Sequence, residues 1–268
     1  MKGQMRRISR NDITYFYFPG WEEKNRVGHG FSSRCGGVSA DKFASLNLGY
    51  KGGDNPAAIL ENRRRFLNLW GKKEPDLVYG EQVHGTNIQM VGEKKVSGGV
   101  LPATDGLITA ERGVVLGAFS ADCILAYLWD PYTHTIGLVH AGWRGTLEGI
   151  VFLAVTAMQN YFAARPAGMQ ALLAPSIGPC CYKVGRDVIG LAAASSWRNE
   201  AIFYPSARDG HAIFDLRASN RNILIAAGLV PGNIMVSTLC TCCHSHYFYS
   251  YRRAGRITGS HMGILFLY

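Results

Sequence analysis

"LVHAGWRGTLEG", residues 138–149, joins an apolar run to a helical pattern through a turn of small residues. The run leading into it, "TIGLVHA", has the length and composition of a strand. After Gly145 the period changes: Ile150, Val151, Ala154, Val155, Met158 and Phe162 fall on one helical stripe. The stretch therefore predicts strand, turn and helix, with His140 at the strand end and Trp143 and Arg144 in the turn. Upstream, "DLVYGEQVHG" and "NIQMVGE" predict two short strands with His84-Gly85 at the turn between them, and "DGLITA", "VVLGAF" and "ILAYLW" predict three more. "DNPAAILENRRRFLNLWG" predicts a helix, opened by Asn55 before Pro56 and stopped at Gly71. Downstream, "ALLAPSIG" and "NIMVST" read as strands, "VGRDVIGLAAASSW" and "SNRNILIAAGL" as helices, and "HMGILFLY" as a final buried strand. Strands and helices mix without a regular βαβ beat. The expectation is an α/β (α+β mixed) fold, with mixed β-sheets flanked by helices.

The 268 residues allow one large domain or two small ones. A single catalytic domain over residues 1–268 is expected, with 1–27 a peripheral N-terminal segment. The 32 glycines are scattered, which favours tight turns over a flexible linker. A formal charge of +9 suits nucleic acid, an anionic membrane surface or a phosphorylated small molecule. The pattern favours the last. There is no RNP-like aromatic motif, zinc-finger spacing or basic tail, and the densest basic run, Arg63-Arg64-Arg65, reads as the solvated face of a helix. The N-terminal "MKGQMRRISRNDITYFYFPG" carries charge but not the apolar core of a signal peptide, and no membrane span is evident, so a cytoplasmic location is expected. In that compartment the seven cysteines read as thiols or metal ligands before disulfides.

Three residues stand out for chemistry: His84 in "EQVHG", Cys123 in "SADC" and His140 in "VHAGWRG". Each lies beside a glycine or next to an apolar run, where a side chain can face a cleft. Neutral imidazole and thiolate are good zinc ligands, and three protein ligands leave a fourth position for water or substrate. The plainer alternative is a hydrogen-bonded histidine at a strand end and a small buried cysteine. The spacings match no short metal motif. Beside His140, a glycine-rich turn entering a helix at about Gly145 suits an anion, and Arg144 adds a planar cationic fork. Arg34, beside Gly36-Gly37, could add a second. Either arginine could instead pair with Asp122 or Glu81. Cys180 and Cys181 in "IGPCCYKVG" read first as packing residues in a turn fixed by Gly178 and Pro179, with a redox switch or extra metal ligands as alternatives. "CTCCHSHYFYSYRR" gathers Cys240, Cys242, Cys243, His244 and His246, which from spacing alone could bind a second zinc.

"GFSSRCGGVS" with "SLNLG", then "EQVHG", "TDGLIT", "SADC", "VHAGWRGT", "IGPCCYKVG" and "CTCCHSHYFYSYRRAGRITG" follow one another in an order that resembles the YfiH/YlmD-like family, formerly called laccase-domain or multicopper polyphenol oxidase proteins. The resemblance covers residues ~28–268, and "HAGWRG" is its most specific string. It implies a single domain with mixed sheets and a cysteine-hydrolase-like arrangement of Cys and His. It also implies a zinc-dependent purine nucleoside phosphorylase that cleaves adenosine, inosine and methylthioadenosine with phosphate, with adenosine deaminase activity attached. On this resemblance His84, Cys123 and His140 are the metal ligands. Arg144 joins them in catalysis, and Arg34, Asn47, Tyr249 and Arg252 bind substrate or phosphate. The "YSYRR" segment would run near the cleft, its aromatic rings available to a nucleoside. Relatives commonly carry an acid where Lys183 stands and an arginine where Ser260 stands, so rim charge and substrate affinity are expected to differ.

Alternatives stay open at this stage. Some bacterial relatives are credited with editing a nucleotide-linked muramyl intermediate (UDP-MurNAc-amino acid), which would make this an amidase with metal-activated water or the Cys123 thiolate as nucleophile. A non-catalytic zinc protein that binds nucleic acid is a third reading, with steep salt dependence as its mark. Deamination would direct water to C6 of adenine, but the chain lacks the H-x-E of the known nucleobase deaminases. Asp122 is a candidate acid or base, although its neighbour Cys123 would point to the opposite face of a regular strand. Oxidase chemistry of the four-copper kind needs many imidazoles, and only His84 and His140 of the eight histidines fall in the core motifs. A Cys-His-His site could still hold copper through misloading.

Overall fold

The computed structural model describes residues 5–21, 27–92 and 99–268. Residues 1–4 and 22–26 of the N-terminal segment, and Glu93 at the end of the "NIQMVGE" run, lie outside these. A seven-stranded sheet orders Arg6–Arg10, Ile13–Tyr17, Val27–Ser32, His261–Leu267, Val115–Ser120, Leu77–Gly80 and Val100–Leu101 across its width. A six-stranded sheet orders Ile234–Val236, Gln170–Leu173, Ile124–Asp130, Thr135–Ala141, Gly106–Thr109 and Ile88–Met90. A small third sheet holds Lys183–Val184, Ala212–Asp215 and Ile202–Pro205. Both large sheets are mixed: Leu77–Gly80 runs parallel to Val115–Ser120 and Val100–Leu101, Ile88–Met90 to Gly106–Thr109 and Ile234–Val236 to Gln170–Leu173, while the other pairings are antiparallel.

The two large sheets stack between helices. In "ILAYLWD" every residue is buried, because both faces of the strand are covered. Leu125, Tyr127 and Trp129 pack inward against Phe31, Leu116 and Leu265 of the other sheet. Ile124, Ala126 and Leu128 face the opposite way, onto the helices Ile150–Phe162 and Leu216–Ala226. On the far side of the first sheet, Val115, Ile264 and Phe266 pack with Phe66 and Leu67 of the helix Pro56–Asn68. That helix is capped as its sequence requires: the Asn55 side chain accepts from the Ala57 N–H at 2.9 Å, and Gly71 takes φ +65° just beyond the C-terminus.

Three expectations change. Leu77–Gly80 and Ile88–Met90 do not pair with each other; they belong to different sheets, so His84 sits on a crossover rather than in a hairpin. The N-terminal segment is not wholly peripheral. Arg6–Arg10 is an exposed edge strand, but Ile13, Phe16, Phe18 and Trp21 are buried, and Trp21 meets Trp129 edge-on at 5.5 Å. The Arg63-Arg64-Arg65 run is also only partly a solvated face. Arg64 and Arg65 pair with Glu61, whereas Arg63 is buried, bonded to the Leu48 carbonyl and Glu74, and stacked over Tyr50, Tyr79 and Phe119. Its position on the buried stripe with Ile59, Phe66 and Leu67 explains the difference. Among the described residues, no helix is long and apolar enough to cross a membrane.

Candidate metal centre

The chain passes from the first sheet to the second three times before Thr135–Ala141, through residues 81–87, 102–105 and 121–123, and all three crossovers meet the end of that strand. His84, Cys123 and His140 come together at that rim, with their donor atoms within 4.8 Å of one another. His84 Nε2 lies 3.9 Å from Cys123 Sγ, and the two imidazole rings stand edge to face at 4.9 Å. His140 is buried, Cys123 half-buried and His84 exposed, so the group opens to one side. One thiolate and two imidazoles form a donor set suited to zinc, with room left for a fourth ligand. Gly142 closes the back of the group: a Cβ there would lie 2.8 Å from His84 Cδ2 and 3.1 Å from Cys123 Sγ. The small residues of "HAGWRG" thus let backbone approach the ligands.

Asp105 organises this centre, and sequence reading passed over it. His84 adopts φ +63°, which turns successive backbone N–H groups toward one point. The N–H groups of Val83 and Gly85 donate to Asp105 Oδ2 at 3.0 and 2.9 Å, and that of His84 donates to Oδ1 at 3.1 Å. Asp105 Oδ1 also accepts from His140 Nδ1 at 2.8 Å, which leaves Nε2 free for a metal. The His140 N–H donates to the Asp105 carbonyl at 2.7 Å. Burial disfavours charge on Asp105, but His140 and the loop N–H groups hold its carboxyl below the ordinary range. Burial likewise resists ionisation of Cys123, yet His140 and His84 lower its thiol to about 6. Burial works against a charged His140 too, and the Cys123 sulfur and Asp105 raise it to about 9. Without metal, the site favours a thiolate beside an imidazolium. Gln82, the residue before Val83, fixes the same crossover: its side chain donates to the Phe119 carbonyl and accepts from the Phe119 N–H, both at 2.7 Å.

Asp122 takes φ +92°, so the chain does turn beside Cys123. Its carboxylate faces away from the ligands, accepting from Thr241 Oγ1 at 2.6 Å, Ser250 Oγ at 2.9 Å and the Arg252 N–H at 2.7 Å. It is a clamp on the C-terminal segment rather than an acid or base at the metal. Arg252 is exposed, its guanidinium 5.2 Å over the Tyr182 ring and its Nη1 donating to the Lys183 carbonyl at 2.8 Å. The Arg144 guanidinium stacks on Trp143 at 4.4 Å and makes no hydrogen bond or ion pair among the described residues. Burial raises the Tyr182 phenol, and the charges it feels are those of Cys123, Arg252, Asp122 and Arg144. Tyr182, unassigned in the sequence, thus lies under the Arg252 guanidinium. The helix beyond His140 begins at Trp143 and ends at Leu147, shorter and earlier than expected; Gly149, at φ +76°, separates it from Ile150–Phe162. A single turn of helix offers little dipole to an anion.

Asn47, Tyr249 and Arg34, expected to bind substrate or phosphate, are each engaged by internal partners. Asn47 is buried, with Nδ2 donating to Gly49 O and Asp54 Oδ2 and Oδ1 accepting from the N–H groups of Gly49 and Ser260. Its hydrogen-bonding capacity is spent. Tyr249 is buried, its hydroxyl bonded to the Phe43 carbonyl. Arg34 lies over the Tyr249 ring at 4.8 Å and donates to the carbonyls of Ala44 and Ser245. These polar groups hold loops together. Ser260 does the same, its N–H on Asn47.

A family described as multi-copper polyphenol oxidoreductase laccase matches residues 28–268. Among curated proteins, a "Purine nucleoside phosphorylase YlmD" of Geobacillus stearothermophilus is 36% identical over 236 residues, 86% of each chain. An "Adenosine deaminase RL5" of an unknown prokaryotic organism is 31% identical over 236 residues, 85% of this chain and 90% of that one. Among solved structures, the hypothetical protein YfiH of Bacillus licheniformis superposes with a TM-score of 0.90 at 30% identity, covering 98% of this chain and 99% of the other.

Proposed function

The chain belongs to the family of multi-copper polyphenol oxidoreductase laccase proteins, and on that premise we propose that it is a zinc-dependent purine nucleoside phosphorylase. Its substrates would be adenosine, inosine and methylthioadenosine, cleaved with phosphate to the free base and the (methylthio)ribose 1-phosphate. Adenosine deamination would be a side reaction of the same centre. The observation that carries this reading is the meeting of His84, Cys123 and His140, with Arg144 on the turn that follows His140. Relatives named purine nucleoside phosphorylase and adenosine deaminase support the purine chemistry.

In phosphorolysis a phosphate oxygen attacks C1′ of the ribose, the C1′–N9 bond breaks and the base leaves with a proton. A bound zinc ion would supply Lewis acidity to an oxygen or nitrogen of a ligand. His84, Cys123 and His140 would hold it, and Asp105 would keep His140 in the ligating tautomer. Arg144, whose guanidinium makes no hydrogen bond among the described residues, would present its fork to phosphate oxygens. Arg252 would add charge while bonded to the Lys183 carbonyl. Such a charge-assisted contact contributes roughly 1.5–3 kcal/mol. Arg144→Ala is therefore expected to lower kcat/KM for phosphate by about 10- to 150-fold, with the thermal melt unchanged. Phosphate kinetics that match wild type would remove Arg144 from the anion site.

One observation favours a second reading. Cys123, His140 and Asp105 also stand as nucleophile, base and orienting acid, and the thiol of Cys123 is lowered to about 6. In the metal-free protein this group could cleave the amide of a nucleotide-linked muramyl-amino acid. Cys123 cannot be both a zinc ligand and a free nucleophile. Amidase activity that survives chelation would select the second reading.

A further inference from the structure

The sequence offered Cys240, Cys242, Cys243, His244 and His246 as a local cluster, but the fold groups cysteines differently. Cys180 and Cys181, in the turn after Pro179, meet Cys240 and Cys243, and all four sulfurs lie within 4.8 Å of one another. Cys243 Sγ is 3.5 Å from Cys180 Sγ and 3.3 Å from Cys181 Sγ. A disulfide requires about 2.05 Å, and all seven cysteines are free thiols. In a tetrahedral zinc tetrathiolate, Zn–S bonds of about 2.3 Å place the sulfurs about 3.8 Å apart. The observed cluster needs shifts of only a few tenths of an ångström at its closest pairs. We propose that Cys180, Cys181, Cys240 and Cys243 form a second metal site, which takes one zinc ion as a closed tetrathiolate.

The surroundings fit the charge that such a centre carries. Four thiolates and one divalent cation sum to two negative charges, which need donors nearby. The Gly178 N–H donates to Cys240 Sγ at 3.2 Å, and the Cys243 N–H approaches the same sulfur across the C-x-x-C turn. The guanidinium of Arg217 lies alongside, bonded to the carbonyls of Ser176 and Leu239 at 2.6 Å each. A Cβ on Gly178 would lie 3.2 Å from Cys180 Sγ and 3.4 Å from Arg217 Nη2, so these groups crowd around one backbone position. Cys242 is not in the group. His244 turns Nδ1 to the Cys240 carbonyl, and His246 packs on Tyr247.

The site joins the segment that leads into Tyr182 to the segment that leads into Arg252, whose guanidinium lies over the Tyr182 ring. Ser176 and Cys240 already form a parallel bridge, with the Thr241 N–H on the Ser176 carbonyl at 3.0 Å. Cys180-Cys181 leads directly into Tyr182, and Arg253 donates to the carbonyls of Thr241 and Cys242. A metal here would staple Tyr182 and the Arg252 segment into one unit. Its role would be structural, because four protein ligands leave no open position.

The test counts metal per chain. Protein stripped by chelator under reductant and argon is titrated with cobalt(II), then with zinc, and the content is measured after desalting. Two equivalents are expected in wild type, with one giving the intense thiolate-to-cobalt charge-transfer band of a tetrathiolate. Cys123→Ser should retain that band and one equivalent. Cys180→Ser and Cys243→Ser should lose it and keep the other equivalent, and Cys242→Ser should keep both. One equivalent in wild type that disappears in Cys123→Ser overturns the proposal, as does a disulfide between the two segments in protein purified under reductant. The wild-type and Cys123→Ser measurements decide the matter even where Cys243→Ser fails to fold. Because Cys123 belongs to the other centre, failure here leaves the phosphorylase reading standing.

Discussion

Replacing Asp105 by asparagine is expected to weaken zinc binding by roughly 10- to 100-fold, the usual cost of losing a partner that orients a metal-binding histidine. That range corresponds to about 1.4–2.7 kcal/mol. Four donors converge on the carboxylate, two on each oxygen: His84 N and His140 Nδ1 on one, Val83 N and Gly85 N on the other. Asparagine keeps the volume but faces one of these pairs with an amino group. If it faces His140, the ring must move its proton to Nε2, the atom required for the metal. If it faces Val83 and Gly85, their N–H groups lose an acceptor at about 1–3 kcal/mol each, and the His84 crossover loosens. Both arrangements damage the centre, so activity should fall with metal affinity. Competition with a chromophoric chelator measures the effect. An affinity within twofold of wild type would show that the histidines are positioned by other contacts.

Acid is expected to unfold the protein through two histidines outside the metal-ligand group. His29 and His261 are buried in aromatic surroundings, and each accepts a backbone N–H on Nε2, from Phe18 at 3.0 Å and Tyr249 at 2.9 Å. Burial lowers both from 6.5 to about 4. Trp21, Tyr17 and Tyr127 surround the first; Phe31, Phe248 and Tyr249 surround the second, with the charge of Arg34 lowering it further. The folded state holds them neutral, whereas the unfolded chain takes up a proton near pH 6.5. Their contribution is therefore fully present above pH 6.5 and is lost as pH falls toward 4. It amounts to about 3 kcal/mol for each ring at the acid limit. Urea unfolding at pH 7, 6, 5 and 4 should show a steep fall for wild type and a shallower one for His261→Gln, which keeps an acceptor but does not titrate. Acid also strips metal, but that loss is common to both proteins and cancels in the difference. Parallel curves would assign the acid sensitivity elsewhere.

The elements that read most clearly from sequence were those whose pattern is local. The stripe from Ile150 to Met158 and the Asn55-Pro56 start are written into a few neighbouring residues, and the helices form there. The N-terminal strand Ile13–Tyr17 is legible only from composition, since "ITYFY" is rich in β-formers but does not alternate apolar and polar residues. Within the site, motifs pointed to His84, Cys123 and His140, which the fold brings together. Motif membership could not reveal whether a polar side chain was already engaged. Asn47, Tyr249 and Arg34 are held by internal partners. Asp105 escaped notice because its partners are mostly backbone N–H groups across a crossover, which leave no mark in side-chain spacing. The cysteine group was hidden for a related reason: half of it comes from residues 180–181 and half from 240–243.

The most direct test of the central claim is a product assay on purified protein of known zinc content, with adenosine supplied with and without phosphate and His140→Ala run alongside. The expected result is adenine and ribose 1-phosphate from wild type only when phosphate is present, with both lost in the variant. No adenine under any condition, from protein shown to carry zinc at the His84–Cys123–His140 centre, would contradict the phosphorylase account.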